Sequence, residues 1–260
     1  MASDISGITL RVENRIATIA FTRVARRNAL DQAAWQNLAS ICAALSLDES
    51  VRLAVLRGEG DHFCAGADIQ ELAANIEDTE WMRANQAAVG AGLDAWAALP
   101  MPTLAAVQGS AFGGGMALAI SADFVIAAVD ARFAITPAKL GLSYRLADCR
   151  RVVDAVGARR ARELLLGARE LDAGTAEAWG VVNRVVARDA LDTCVQEEIV
   201  RLVKLSGVSQ RAIKSNLLKI RAGHASDDAA SLADFANAFE ADDFRAAAAA
   251  FVAKRPHTFN

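Results

Sequence analysis

Residues 53–72 read LAVLRGEGDHFCAGADIQEL, and residues 103–120 read TLAAVQGSAFGGGMALAI. Each stretch passes from a short buried-strand pattern through a glycine turn into a loop of very small side chains, and then into a helix start. A strand–loop–helix unit written twice describes neighbouring turns of a ββα spiral, with parallel strands side by side and their loops at one end. The pattern extends outward from there. Residues 8–12 (ITLRV) and 16–22 (IATIAFT) flank Glu13-Asn14-Arg15 and predict a hairpin. Asp31 precedes apolar residues at Trp35, Leu38, Cys42 and Leu45, the signature of a capped helix with one buried face. Further strands are expected at 124–128 and 181–186, a loop at 140–145 and a helix over 147–167. Residues 1–188 therefore read as an α/β core. Beyond 189, Leu191, Val195, Ile199 and Leu202, then Ile213, Leu217 and Ile220, then Leu232, Phe235, Phe239, Phe244 and Phe251 describe amphipathic helices with no strand partner. Residues 189–260 read as an all-helical C-terminal region.

Composition excludes several classes of function. The 260 residues are 53% hydrophobic and carry a net charge of −3, which gives no electrostatic reason to bind bulk nucleic acid or an anionic membrane. Cys42, Cys64, Cys149 and Cys194 are scattered without a CxxC, as single core thiols are in a reducing compartment. His62, His224 and His257 are too dispersed for a metal cluster, so no metal is expected. No apolar run is long enough to span a bilayer, and the N-terminal MASDISGITLRVENR lacks the basic and apolar segments of a secretory leader. The expectation is a cytoplasmic protein.

Gly58-Glu59-Gly60-Asp61-His62-Phe63 half-matches a dinucleotide-binding glycine motif, but two acids occupy the places nearest a pyrophosphate, so it reads as a turn. A nucleophile elbow and a P-loop are absent. The informative segments are the two small-residue loops. Tiny side chains let a ligand approach the backbone, and helix-initial amides have no partner within their helix. Two such amides converging on one oxygen make an oxyanion hole.

FCAGADI (63–69) together with AAVQGSAFGGGMALA (105–119) resembles the paired signature of the crotonase, or enoyl-CoA hydratase/isomerase, superfamily. RNAL (27–30), LDAGTAEAWGVVNRVV (171–186) and FVAKRPHTF (251–259) resemble further family segments, so the likeness spans essentially the whole chain. The resemblance implies a crotonase-like ββα spiral and an acyl-CoA lyase or isomerase of fatty acid metabolism. It implies no cofactor beyond the coenzyme A of the substrate, and assembly through the helical tail as a homotrimer or a dimer of trimers. It assigns the oxyanion-hole amides to Ala67 and Gly114. Contacts to coenzyme A fall to Arg26, Arg27, Ala29, Ala65, Asp68, Ile69 and Gln70, with Lys254 matching a basic tail residue. Asp68 also reads as the N-cap of the helix that starts at Ile69.

The family's hydratases use two glutamates, and here the matching positions are Ala117 and Ala138. Hydration needs one group to take a proton from water and another to give one to carbon, and alanine does neither. Tyr144 is the only tyrosine of the chain. FAITPAKLGLSY (133–144) resembles the loop of methylmalonyl-CoA decarboxylase-like members, which carry a tyrosine there but a histidine in place of Ala67. Tyr144 therefore reads either as a hydrogen-bonding group of the site or as a ring packed in the core. Arg145 reads as a bidentate partner for a substrate carboxylate, Asp148 as a proton carrier or a helix cap, and His62 as exposed.

Overall fold

A computed structural model describes residues 7–259. The first six residues, which open the stretch read for a leader, and Asn260 at the end of the helical region lie outside the described residues. The chain opens with β1 (Ile8–Glu13) and β2 (Ile16–Phe21), an antiparallel pair. Asn14 and Arg15 between them have φ of 48° and 68°, the left-handed pair that a two-residue turn matched to strand twist requires. Helix α1 (Gln32–Leu47) follows, with the Asp31 carboxylate accepting the Ala34 amide at 2.8 Å. Then come β3 (Leu53–Gly58), α2 (Ile69–Ala74), α3 (Thr79–Ala97), β4 (Thr103–Val107), β5 (Ser110–Phe112) and α4 (Gly114–Ser121). The core continues through β6 (Phe124–Ala128), β7 (Arg132–Ala134), α5 (Leu146–Leu165), β8 (Glu170–Asp172), α6 (Ala173–Trp179) and β9 (Arg184–Val186). Four helices end the chain: α7 (Leu191–Val203), α8 (Gly207–Arg221), α9 (Ala229–Glu240) and α10 (Asp242–Val252).

The larger sheet has the order β1-β2-β3-β4-β6-β9 and is parallel from β2 onward. The two repeated stretches lie in it as neighbours: β3 pairs with β4 in parallel, as the sequence repeat predicts. A smaller sheet, β5-β7-β8, forms a second wall of the spiral. Its three-residue strands were not expected from the sequence, because a run that short carries no readable period.

Both faces of the larger sheet are covered, and the strands show it residue by residue. Ala54 and Leu56 of β3, with Ala105 and Val107 of β4, face the core that holds Trp35, Trp96 and Met116. Leu53 and Val55, with Leu104 and Ala106, face the other way, onto Leu191, Cys194, Val195, Ile199 and Leu202. Those last five residues belong to α7. The expectation of helices without a strand partner is therefore corrected for α7, which closes the second face of the sheet. Helix α8 is tethered to the core by the buried Lys214 ammonium, which donates to the Met101 carbonyl at 2.9 Å and to Asp123 at 2.6 Å. Among the described residues, no helix is long and apolar enough to cross a membrane, and no cluster of His, Cys, Asp and Glu could hold a metal ion.

Candidate active site

The two small-residue loops are stitched together by backbone hydrogen bonds. Cys64 N–H donates to the Ser110 carbonyl at 2.9 Å, and Phe112 N–H returns to the Cys64 carbonyl at 3.0 Å. On the other side, Leu30 N–H donates to the Gly66 carbonyl at 2.8 Å, and Asp68 N–H to the Leu30 carbonyl at 2.9 Å. The RNAL segment, the first loop and the second loop therefore lie edge to edge. The 58–63 segment is a turn held by two side-chain amides. Asn28 Nδ2 donates to the carbonyls of Glu59 and His62, and Gln108 Nε2 to those of Gly58 and Gly60. His62 is partly buried rather than exposed, and its Nδ1 accepts the Ser110 amide at 3.1 Å.

The closeness of the two loops explains their glycines. Gly66 has φ of +93°, and a Cβ there would lie 2.6 Å from the Phe112 oxygen and 3.0 Å from the Gly114 nitrogen. A Cβ at Gly114 would lie 2.8 Å from Cζ2 of Trp35, whose fully buried ring floors the loop. The Gly114 amide thus sits beside Gly66, the residue that precedes Ala67. Among the described residues, neither the Ala67 nor the Gly114 N–H has an acceptor. Both residues are half-exposed between buried neighbours. Gly114 is the first residue of α4, where the helix dipole adds partial positive charge. Two half-exposed free amides on abutting loops can both donate to one developing oxyanion.

The residues assigned to coenzyme A divide into anchors and exposed groups. Asp68 is a buried anchor. Its carboxylate accepts the Gln70 and Glu71 amides as the α2 cap and pairs with Arg23 at 2.8 Å. Burial pushes this carboxyl up, but the hydrogen bonds from Arg23 and the two amides outweigh it and hold it below its ordinary value. Ala29 is buried, and its carbonyl accepts from Arg23 at 2.7 Å; Arg23 is a structural partner that the sequence reading did not identify. Ala65, half-buried, donates its amide to the Arg27 carbonyl at 3.0 Å. Arg26, Arg27, Ile69 and Gln70 are exposed on the rim, with the Arg26 guanidinium on the Gln70 side-chain oxygen. Lys254 is exposed just beyond α10, and among the described residues no hydrogen bond or ion pair links it to the two loops.

Tyr144 reaches the second loop, where its hydroxyl lies 3.4 Å from the Gly113 carbonyl and its ring packs against the core. Burial, reinforced by the nearby Asp148 and Cys149, pushes the phenol well above the ordinary tyrosine range, so it is neutral and available as a donor. Arg145 is committed to partners within the protein. It donates to both oxygens of Asp94 at 3.0 Å each, and to Asp148 at 2.8 and 3.1 Å. These two aspartates raise its basicity and occupy the fork that was read as free for a substrate. Asp148 is buried between Arg145 and Arg151. Ala117 is buried within α4, and Ala138 is exposed on the turn that follows β7.

Residues 11–260 match the family model described as enoyl-CoA hydratase/isomerase. A solved enoyl-CoA hydratase/carnithine racemase of Magnetospirillum magneticum superposes with a TM-score of 0.92 at 30% identity, covering 100% of this chain and 97% of that one. An enoyl-CoA hydratase of Mycobacterium smegmatis gives 0.87 at 28% identity, covering 96% and 98%. A carnitinyl-CoA dehydratase of Citrobacter koseri is 32% identical over 191 residues, 73% of this chain and 72% of its own. With a matching model over nearly all its length and a shared fold, the chain belongs to the enoyl-CoA hydratase/isomerase family of acyl-CoA enzymes.

Proposed function

We propose that this protein takes an acyl-CoA thioester with its carbonyl oxygen between the Ala67 and Gly114 amides, stabilises the enolate formed there, and does not hydrate enoyl-CoA by the two-carboxylate route. One observation carries the reading: two backbone N–H groups without acceptors stand on loops that touch each other. Each well-placed donor would contribute about 3–4 kcal/mol to a developing oxyanion. The hydration route is closed because Ala117 and Ala138 stand where its acid and base would be, while Asp94 and Asp148 are each held by two arginines.

A second reading is favoured by the Tyr144 hydroxyl beside the Gly113 carbonyl. Loss of CO₂ from a malonyl- or methylmalonyl-type thioester delivers its electron pair to the α-carbon without a base, and the hole holds the resulting enolate. A neutral phenol is placed to donate to the departing carboxylate or to the enolate. A third possibility is a non-catalytic acyl-CoA-binding subunit. Three assays separate these readings. Loss of crotonyl-CoA absorbance at ordinary enzyme rates would overturn the closed hydration route. Release of CO₂ from methylmalonyl-CoA would establish the decarboxylase. Enrichment of the acetoacetyl-CoA enolate absorbance on binding, without turnover of either thioester, would leave the binding subunit. No change in the acetoacetyl-CoA spectrum would refute the oxyanion hole itself.

The proposal includes assembly as a homotrimer or a dimer of trimers. Phe235, Phe239 and Phe244 stack edge to face on α9 and α10 yet remain about half to two-thirds exposed, a surface that a second copy would cover. Light scattering that returns a monomer at micromolar concentration would remove this part.

A further inference from the structure

We propose that Asp94, Arg145, Asp148 and Arg151 form a latch that positions Tyr144, setting its hydroxyl against the second glycine loop. The latch is a closed ring of ion pairs between α3 and the start of α5. Arg145 grips both oxygens of Asp94 at 3.0 Å and both of Asp148 at 2.8 and 3.1 Å. Arg151 bonds to Asp94 at 2.8 Å and also to Asp148. Two carboxylates and two guanidinia balance in charge, and forked geometry fixes direction as well as distance. Helix α3 leaves room for it: a Cβ on Gly90, one turn before Asp94, would lie 2.6 Å from Arg145 Nη1.

The latch acts on Tyr144 because little else holds its loop. Leu140, Leu142 and Leu146 point their apolar surface outward, and Gly141 has open space where a side chain would be. Among the described residues between Pro137 and the start of α5, the Tyr144 ring packs against the core and the Arg145 fork next to it in the chain is hydrogen-bonded to Asp94 and Asp148. The ionisable groups that face the phenol are Asp148, Cys149, Arg145 and Arg151, with Asp94 beyond Arg145 on α3. What the phenol does for a substrate rests on the reading under Proposed function; that the four charged residues place it does not.

Because Tyr144 is the sole tyrosine, phenolate absorbance after a rapid jump to alkaline pH reports on it alone. Folded wild-type protein should show no phenolate in the ordinary tyrosine range near pH ~10. Asp94→Asn and Arg145→Lys, the second serving if the first does not fold, should each bring phenolate absorbance to an alkaline pH at which folded wild type shows none, as water reaches the ring. Asp154→Asn, which breaks the exposed Arg150 pair on the same helix, should leave the titration unchanged. Folded Asp94→Asn or Arg145→Lys protein with the wild-type titration would overturn the latch. A second arm uses acetoacetyl-CoA. Asp94→Asn should weaken enolate enrichment about fivefold in the wild-type background and not at all beside Tyr144→Phe. Equal losses in both backgrounds would mean a merely structural role. A wild-type protein that ignores acetoacetyl-CoA defeats the proposed function, yet leaves the phenolate result standing on its own.

Discussion

The paired glycine loops and the 137–145 segment meet where the Tyr144 hydroxyl lies 3.4 Å from the Gly113 carbonyl, but they are held in different ways. The loops at 64–68 and 109–115 are fixed by contact. Backbone meets backbone, Gly66 admits no side chain, and the Ala67 and Gly114 amides are without acceptors among the described residues. The 137–145 segment is exposed along most of its length, offers a side chain, and is fastened by charge. A site assembled from both has one half set by backbone contact, where Gly66 and Gly115 leave no room for a side chain, and another half that accepts substitution but depends on ionisation. The difference is open to direct test.

The largest effect is expected where contact is tightest. Gly66→Ala places a Cβ at a left-handed φ of +93° and within 2.6 Å of the Phe112 oxygen, so the two loops must separate. Misalignment of one donor should cost about 3 kcal/mol of oxyanion stabilisation, roughly a hundredfold in acetoacetyl-CoA enolate enrichment. Retention of wild-type enrichment would show that the loops do not set the hole. The charged half should respond more mildly. Tyr144→Phe removes a hydroxyl at 3.4 Å from its acceptor. Its stability cost should stay below about 1 kcal/mol, while any turnover of a malonyl-type thioester should fall roughly a hundredfold. Comparing the denaturation midpoint with CO₂ release separates the two.

Asp68 belongs to the contact half but works as a charge, so it probes the boundary between the halves. Asp68→Ala removes the α2 cap and the Arg23 partner and should cost about 1–2 kcal/mol in urea unfolding. Asp68→Asn keeps a capping oxygen and should recover about half of that loss. If both variants lose equally, the ion pair rather than the cap holds this end of the loop.

These two halves also differ in how far a sequence reader can see them. The glycine loops are legible because their requirement is local: a small residue is needed at Gly66 and Gly115, where two backbones touch, and at Gly114, against the Trp35 ring. The parallel pairing of β3 with β4 follows from the same repeat. The 137–145 half is not legible, because its partners are far away in the chain. Nothing local in Arg145 says that Asp94, on a helix 51 residues earlier, will take its fork, so a carboxylate-bearing substrate is the natural guess. Arg151 and Arg23 are invisible for the same reason. Helix α7 was misread by a related logic. Its spacing of Leu191, Val195, Ile199 and Leu202 predicts a buried face correctly, but not that a sheet is what buries it.

The smallest expected effect concerns acid. Burial pushes the Asp94 carboxyl up, yet the hydrogen bonds from Arg145 and Arg151 outweigh this and leave it below its ordinary value. A carboxyl with a depressed folded pKa contributes stability that is fully present above the unfolded value of about 3.9 and is lost as pH falls through the folded one. The latch should therefore loosen only below about pH 4. Asp48, Asp68, Asp172, Glu198 and Asp228 shift in the same direction, so a global stability curve will blend them with Asp94. The sole tyrosine separates them, because it sits beside the latch and not beside Asp68. Second-derivative tyrosine absorbance should report ring exposure as pH falls, ahead of the loss of helix seen by circular dichroism, and Asp94→Asn should already show that exposure at neutral pH. The glycine contacts carry no proton, so the two loops should hold until the whole core fails. Tyrosine exposure coincident with helix loss in the wild type would mean that contact and charge form one cooperative unit, and the division between the halves would then be geometric rather than energetic.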